Sequence, residues 1–305
     1  MQKALSLWLS VILVGLAAAA ALLGFSRADS AQDRVWTTAT AQLQRMDWQA
    51  VDAYAATALT QRVPKWRRQG EVGPLFMDGV PSEGDDGIDI LARKRRFLAA
   101  MVPATLLVNR LLQAERDRLV LIAAQTARAK PLSARQQDWL ATIAARYGAN
   151  PDDLDTLLRR VDQVPPSLVL AQAAIESGWG LSRFARAGNA LFGQYAWDGE
   201  GMVPKQRKAG ARHTIKTFDS PAGAIFGYMH NLNTHRAYRQ FRQQRAAARA
   251  QDEALDSLAL AGTLSAYSTL REAYVRRVRT VIKQNQLTDF DDAQLSPAAV
   301  AKLPS

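Results

Sequence analysis

Pro165-Pro166-Ser-Leu-Val-Leu-Ala-Gln-Ala-Ala-Ile-Glu176-Ser-Gly-Trp-Gly180 is the stretch that decides the fold. Pro166 suits the first helical position, where its missing N–H removes no hydrogen bond, and Gly178 offers the left-handed residue that ends a helix. Between them the residues are apolar on most faces and built around alanines, as expected of a helix crossing the centre of a domain. Glu176 falls in the last turn, where a carboxylate faces the negative pole of the helix. Ile175, Trp179, Leu191 and Phe192 add apolar surroundings close in sequence. Both effects disfavour the ionised carboxyl and favour the protonated acid that general acid catalysis near neutral pH requires. The choice also breaks the usual preference for a basic residue in a last turn, and local rules are broken most often at functional sites. The plain alternative is a solvated helix glutamate.

Downstream, the period shifts toward two between Leu191 and Phe218, with turn signals at Asp198-Gly199 and Ala209-Gly210. This predicts two or three short antiparallel strands. Ser220-Pro221 starts another helix, and further helices are expected near 236 to 248, 252 to 261 and 270 to 286. Thr269 with Glu272 three residues on announces the last as a capping box. Immediately upstream, Ser133 with Gln136 forms a second capping box, Gly148 marks a stop, and Asn150-Pro151 starts a short helix that Val164-Pro165-Pro166 ends.

Farther upstream, Ile90 to Ala129 reads as a long helical pattern that Pro103 should kink or restart. Its Arg93-Lys94-Arg95-Arg96 cluster reads as a solvated face. The segment 62–89 carries Pro64, Pro74 and Pro81 with five glycines, which predicts a strap between helices. By its length and Pro-Gly content the segment 60–89 is expected to cover the cleft, so that its deletion would raise hydrolysis. From Ala31 to Leu59 the pattern is helical again. The run from Ala4 to Phe25 holds no charge and is long enough to cross a hydrocarbon core of about 30 Å. It reads as an export signal or an uncleaved anchor, and either puts the rest of the chain outside the cytoplasm. The expected organisation is a signal or anchor over 1–28, a helical N-terminal region over 29–130 with its strap at 62–89, a catalytic domain over 131–290, and a tail over 291–305. The fold class is α+β, mainly α, with a small antiparallel β-lobe.

The bulk composition, 48% hydrophobic and 22% charged over 305 residues, is that of a globular protein. With no cysteine, disulfides, thiolate metal sites and cysteine nucleophiles are excluded. His213, His230 and His235 form no recognised metal spacing, so neither a metal nor a cofactor is expected. No phosphate-binding loop, dinucleotide fingerprint or Gly-x-Ser-x-Gly elbow is present. A net charge of +11 implies attraction to polyanions. Cell wall and membrane surface come first for an exported chain, and no nucleic acid is expected because no recognised nucleic-acid motif accompanies the charge. The sequence sets no oligomeric state.

The run from Val164 to Gly180, followed by Asn189-Ala-Leu-Phe-Gly193, resembles the active-site region of the peptidoglycan glucosaminidases of glycoside hydrolase family 73. The resemblance continues through Phe218-Asp-Ser, Tyr228, Asn231 to Phe241, Ala266-Tyr267-Ser268 and Tyr274, over roughly residues 164 to 286. Within that family the chain is most similar to the Bax type, which extends the likeness upstream to Val63–Asn109. The resemblance implies a lysozyme-like fold, peptidoglycan glycan strands as substrate, hydrolysis of the β-1,4 bond between N-acetylglucosamine and N-acetylmuramic acid, and Glu176 as the general acid. It also implies Tyr267 and Tyr274 as cleft residues.

Glycosidases usually add a second carboxylate, about 5 to 5.5 Å away for retention or about 6.5 to 9.5 Å for inversion. Glu200, then Asp198, are the candidates at the first β-turn, with Asp219 behind them; an exposed hairpin turn would look the same. Assistance from the sugar's own acetamido group is a further route. Tyr195, Tyr228 and Trp179 join Tyr267 and Tyr274 as candidate substrate-binding aromatics, with Trp197 beside them, although most aromatics are core. Trp179 and Phe192 equally suit packing around the acid. The competing readings are a lytic transglycosylase, which cleaves the other glycosidic bond without water, and a non-catalytic cell-wall-binding protein.

Overall fold

The computed structural model describes residues 38–50, 60–81, 89–196, 201–204 and 213–303. The apolar run 4–25 therefore lies outside the described residues. In chain order the described elements begin with α1 (Ala39–Gln44), α2 (Arg62–Gln69), β1 (Glu71–Val72) and α3 (Ile90–Ala127). They continue with α4 (Ala134–Tyr147), α5 (Leu154–Arg160), α6 (Pro166–Ser177), α7 (Arg183–Gly188), β2 (Tyr195–Ala196), β3 (Thr214–Ile215) and α8 (Pro221–Thr234). The last are α9 (Arg239–Ala250), α10 (Ser257–Ala261), α11 (Glu272–Gln284), β4 (Gln294–Leu295) and α12 (Pro297–Val300). The architecture is mainly α with a small antiparallel pair, β2 with β3, in which Tyr195 faces Ile215 and Ala196 faces Thr214. Met202 adds a further bridge to Ile215.

Two helices make the centre. The 38-residue α3 packs along α8 and α6, and α6 also packs on α11. Pro103 neither restarts nor ends α3. Proline in a helix interior removes one hydrogen bond and costs about 3 kcal/mol in isolation, but here Arg96 through Asn109 are all buried, and packing around that stretch offsets the loss. Thr105 Oγ1 also donates to the Met101 carbonyl at 2.7 Å, one turn along the same stretch.

Because α3 shares its core with α6 and α8, the boundary drawn at 130/131 separates no two cores; residues 38–304 form one compact unit. Nor do the described residues of the expected tail, 291–303, hang free. Gln294 and Leu295 pair in parallel with Glu71 and Val72, a partnership across the whole chain that no local pattern announces.

Most of the remaining differences lie upstream. The segment 62–89 is no continuous strap, since 62–69 is helix and Val72, Leu75, Phe76, Met77 and Val80 are buried core. Removing these side chains would uncover the interior, so the gain in activity expected from deleting the segment gives way to an expected loss of fold. The helix expected over 31–59 is described only as Ala39–Gln44, after which Gln49 bridges to Met77. The basic cluster is not simply solvated: Arg96 is buried, and Lys94 lies over the Trp179 ring, 4.9 Å from its centre, while donating to Asn285 Oδ1.

Capping is where local chemistry succeeds and fails. The Ser133/Gln136 box forms as expected, and Gly148 ends α4 in the left-handed conformation. The next helix starts later than expected, with Asp153 rather than Asn150 accepting the first-turn N–H. Thr269 caps nothing; Arg271, at φ 47°, precedes α11 without a side-chain cap.

Candidate active site

α6 is built for burial. From Pro166 to Ala174 every side chain is buried, including the polar Ser167 and Gln172. Pro165 has no side chain to cap the helix, so Asp291 does it from elsewhere: one oxygen accepts from Ser167 N and the other from Ser167 Oγ, each at 2.8 Å. Burial pushes Asp291 up to about 6, with the Ser167 bonds opposing.

At the other end the backbone turns sharply. Gly178, Trp179 and Gly180 take φ of 61°, 59° and 83° in succession. A glycine does this freely, whereas a tryptophan there is strained, and such strain concentrates at functional sites. Ser177 holds the turn, donating to Ala173 O at 2.6 Å and accepting from Gly180 N at 2.9 Å. The Trp179 ring packs edge-on against Phe97, at 5.4 Å.

The upstream segment closes on this turn. A Cβ on Gly180 would sit 2.8 Å from Val80 Cγ1. Asn189, itself at φ 48°, donates to the carbonyls of both Asp78 and Phe218, tying 73–81 to the base of the β-lobe. Gly180→Ala therefore combines a disfavoured φ with a forced contact, and we expect it to cost about 1–3 kcal/mol. A lowered urea midpoint checks this; an unchanged midpoint would show that Val80 and the turn relax freely.

Glu176 sits just before the turn. Tyr274, 98 residues away, donates to its Oε1 at 2.8 Å. Behind it Gln172 Nε2 donates to Tyr274 Oη at 2.9 Å, and Tyr228 Oη donates to Gln172 Oε1. The Tyr274 ring stacks on Tyr267, and Tyr228 stacks on Phe192. Tyr267 in turn donates to the Phe192 carbonyl at 3.3 Å.

Desolvation raises Glu176 above the ordinary carboxylate value; the Tyr274 hydrogen bond and the Arg277 charge pull the other way and do not cancel it. The residue as a whole is exposed, so this desolvation is one-sided, coming from the buried wall behind the carboxyl. The phenols of Tyr228, Tyr267 and Tyr274 are all raised by burial and stay protonated.

Of the residues singled out in sequence, Glu176, Tyr267 and Tyr274 come together, but Tyr274 is buried and meets Glu176 through its hydroxyl rather than lining the cleft with its ring. Tyr228 is fully buried and cannot touch a substrate directly; it lies behind the acid, bonded to Gln172. Trp179 is half-buried in its contact with Phe97. Tyr195 stands exposed on β2 with its ring beside His213. Asp198, Glu200 and Trp197 lie outside the described residues. Asp219 is exposed and does not cap α8; Ser220 does.

His230 donates to the Arg146 carbonyl, and His235 accepts from Ala237 N. Among the described residues no group of three His, Asp or Glu forms a metal site. Gln172 escaped notice in sequence. Its signal was present: one amide in an otherwise apolar run, four residues before Glu176, and a buried polar group is the informative exception in a core.

The chain aligns with the catalytic domain of the autolysin Auto from Listeria monocytogenes at 20% identity, over 58% of this chain and 97% of that one, with a TM-score of 0.33, too low to establish a shared fold. A family model described as Glucosaminidase, mannosyl-glycoprotein endo-beta-N-acetylglucosaminidase, matches residues 155–287, from α5 through α11. Protein bax of Escherichia coli (strain K12) is 33% identical over 196 residues, spanning 64% of this chain and 70% of that protein. That likeness and the family match identify the chain as a glycoside hydrolase, and it belongs to the glucosaminidase family.

Proposed function

We propose that this glycoside hydrolase acts on bacterial peptidoglycan, cutting the β-1,4 bond between N-acetylglucosamine and N-acetylmuramic acid with Glu176 as general acid. The observation that carries the reading is the carboxyl itself, raised by desolvation, held through Oε1 by Tyr274 and open to solvent. With Oε1 engaged, the acid proton belongs on Oε2, where it can be handed to the leaving-group oxygen as the C–O bond breaks and positive charge develops on the departing sugar ring.

The second carboxylate is Glu200, or Asp198 two residues before it in sequence; participation of the substrate's acetamido group is the alternative. Tyr267, whose ring stacks on Tyr274, gives the sugar an aromatic surface. Tyr195, exposed on β2, and half-buried Trp179 are further candidate contacts for the glycan strand. The family description supports a linkage of N-acetylglucosamine. The net charge of +11 suits a carboxylate-bearing wall. Residues 1–28 would act as export signal or anchor, giving a cell-envelope location.

Digestion of purified sacculi followed by mass spectrometry tests the reading. Fragments with reducing-end N-acetylglucosamine are expected. Ends carrying 1,6-anhydromuramic acid would instead establish a lytic transglycosylase, and binding to sacculi with no fragments released would leave a wall-binding protein.

A further inference from the structure

We infer that Gln172, held by Tyr228, is a positioning residue that fixes which oxygen of Glu176 carries the catalytic proton. The inference rests on Glu176 being the acid, as proposed above. Four groups form one directional chain: Tyr228 Oη donates to Gln172 Oε1, Gln172 Nε2 to Tyr274 Oη, and Tyr274 Oη to Glu176 Oε1.

A phenol has one proton to give. The Gln172 amide donates into the Tyr274 oxygen, so the Tyr274 proton must point at Glu176. Were the amide turned over, its carbonyl would draw the Tyr274 proton away, and Tyr274 could then only accept from Glu176. The Glu176 proton would move to Oε1 and face the protein interior. Tyr228 blocks that state. It is fully buried, and its hydroxyl proton uses the Gln172 carbonyl as acceptor, which the turned amide would remove at the cost of an unsatisfied buried donor. Gln172 lies four residues before Glu176 on α6, so both side chains leave the same face of one rigid helix.

The device has a cost in acidity, and the sign of that cost gives the test. A donor aimed at Glu176 Oε1 favours the carboxylate, so losing the enforced direction raises the acid's pKa and moves the alkaline limb of the activity profile upward. Gln172→Met keeps length and volume without hydrogen-bonding groups, and Tyr228→Phe removes only the hydroxyl. Activity is followed on soluble peptidoglycan fragments across pH, with kcat and KM separated.

For Gln172→Met we expect kcat about 10- to 100-fold lower, KM within about twofold, and the alkaline limb moved up by about one pH unit. For Tyr228→Phe the same directions are expected with smaller amplitude. A role in folding alone would lower the amount of active enzyme without moving the limb. If Gln172→Met does not fold, the Tyr228→Phe profile decides. A profile superimposable on wild type in a folded variant overturns the inference. Glu176→Gln, assayed beside them, separates the two readings: retained activity there removes the acid itself, whereas an inactive Glu176→Gln with unmoved profiles in the other two removes only the positioning role.

Discussion

Glu176→Gln is expected to lower kcat on peptidoglycan by about 10²- to 10⁴-fold, the contribution typical of a well-placed general acid, with little change in KM. Glutamine keeps the shape, and its carbonyl oxygen can still accept from Tyr274, so the fold and the cleft are preserved. What it lacks is a proton acidic enough to transfer. The variant should be no less stable than wild type at neutral pH. The folded-state pKa of Glu176 lies above its ordinary value. The stability tied to its protonated form is therefore complete below that ordinary value and lost as pH rises through the folded one, and an uncharged amide escapes this loss. The same shift extends wild-type activity to higher pH than an unperturbed carboxyl would allow, with the rate falling as Glu176 ionises. Kinetics on purified fragments with a parallel melting curve check both statements. Full lytic activity in Glu176→Gln would remove the residue from the mechanism, and a lowered melting temperature would mean that the substitution had disturbed the wall behind it.

The largest effect on stability should come from Asp162→Ala. Asp162 is buried in the bend between α5 and α6, with Arg249 at 3.0 Å, Arg245 at 3.5 Å and Arg116 at 3.6 Å. Its backbone carbonyl also accepts from Asn233. Burial alone would raise the carboxyl, but Arg245, Arg116 and Arg249 together outweigh it and hold the group below the ordinary carboxylate value. Removing one partner of such a cluster strands the others, above all the fully buried Arg245, and costs about 3–5 kcal/mol. The bend leads directly into Pro165 and Pro166, so the loss should loosen the entry of the helix that carries Glu176. Because the folded pKa is depressed, this stabilisation is present above the ordinary carboxylate value and disappears as pH falls through the folded one. Urea denaturation of Asp162→Ala at neutral pH and under acid should show a large deficit at neutral pH that narrows as pH falls. Equal midpoints at neutral pH would show that the arginines find other partners.

Both residues illustrate how far local pattern reaches. Glu176 could be found because the signals around it are local: a proline start, an alanine-rich run and a glycine stop, all within one helix. Asp162 carried no such signal. An aspartate between a short helix and two prolines resembles many loop residues, and only the convergence of arginines from α3 and α9 makes it central. The same holds for Tyr228, which looked like a surface for sugar and proved to be a buried support, because an aromatic at helical spacing has the same local pattern in either role.

The sequence by itself determined that α6 exists, where it begins and ends, that Glu176 stands at its C-terminal end, and that a small β-lobe follows. The helix features follow from backbone geometry and hydrogen bonds that reach only three or four residues, and the β-lobe from two-residue alternation between turn signals. The tertiary structure alone decided that Tyr274 would meet Glu176, that Asp291 would cap α6 from 124 residues away, that 71–72 would pair with 294–295, and that Gln172 would be sealed in a chain of hydroxyls. Each of these depends on the packing of elements distant in sequence, and burial converts an ordinary polar side chain into one whose hydrogen-bond direction is fixed.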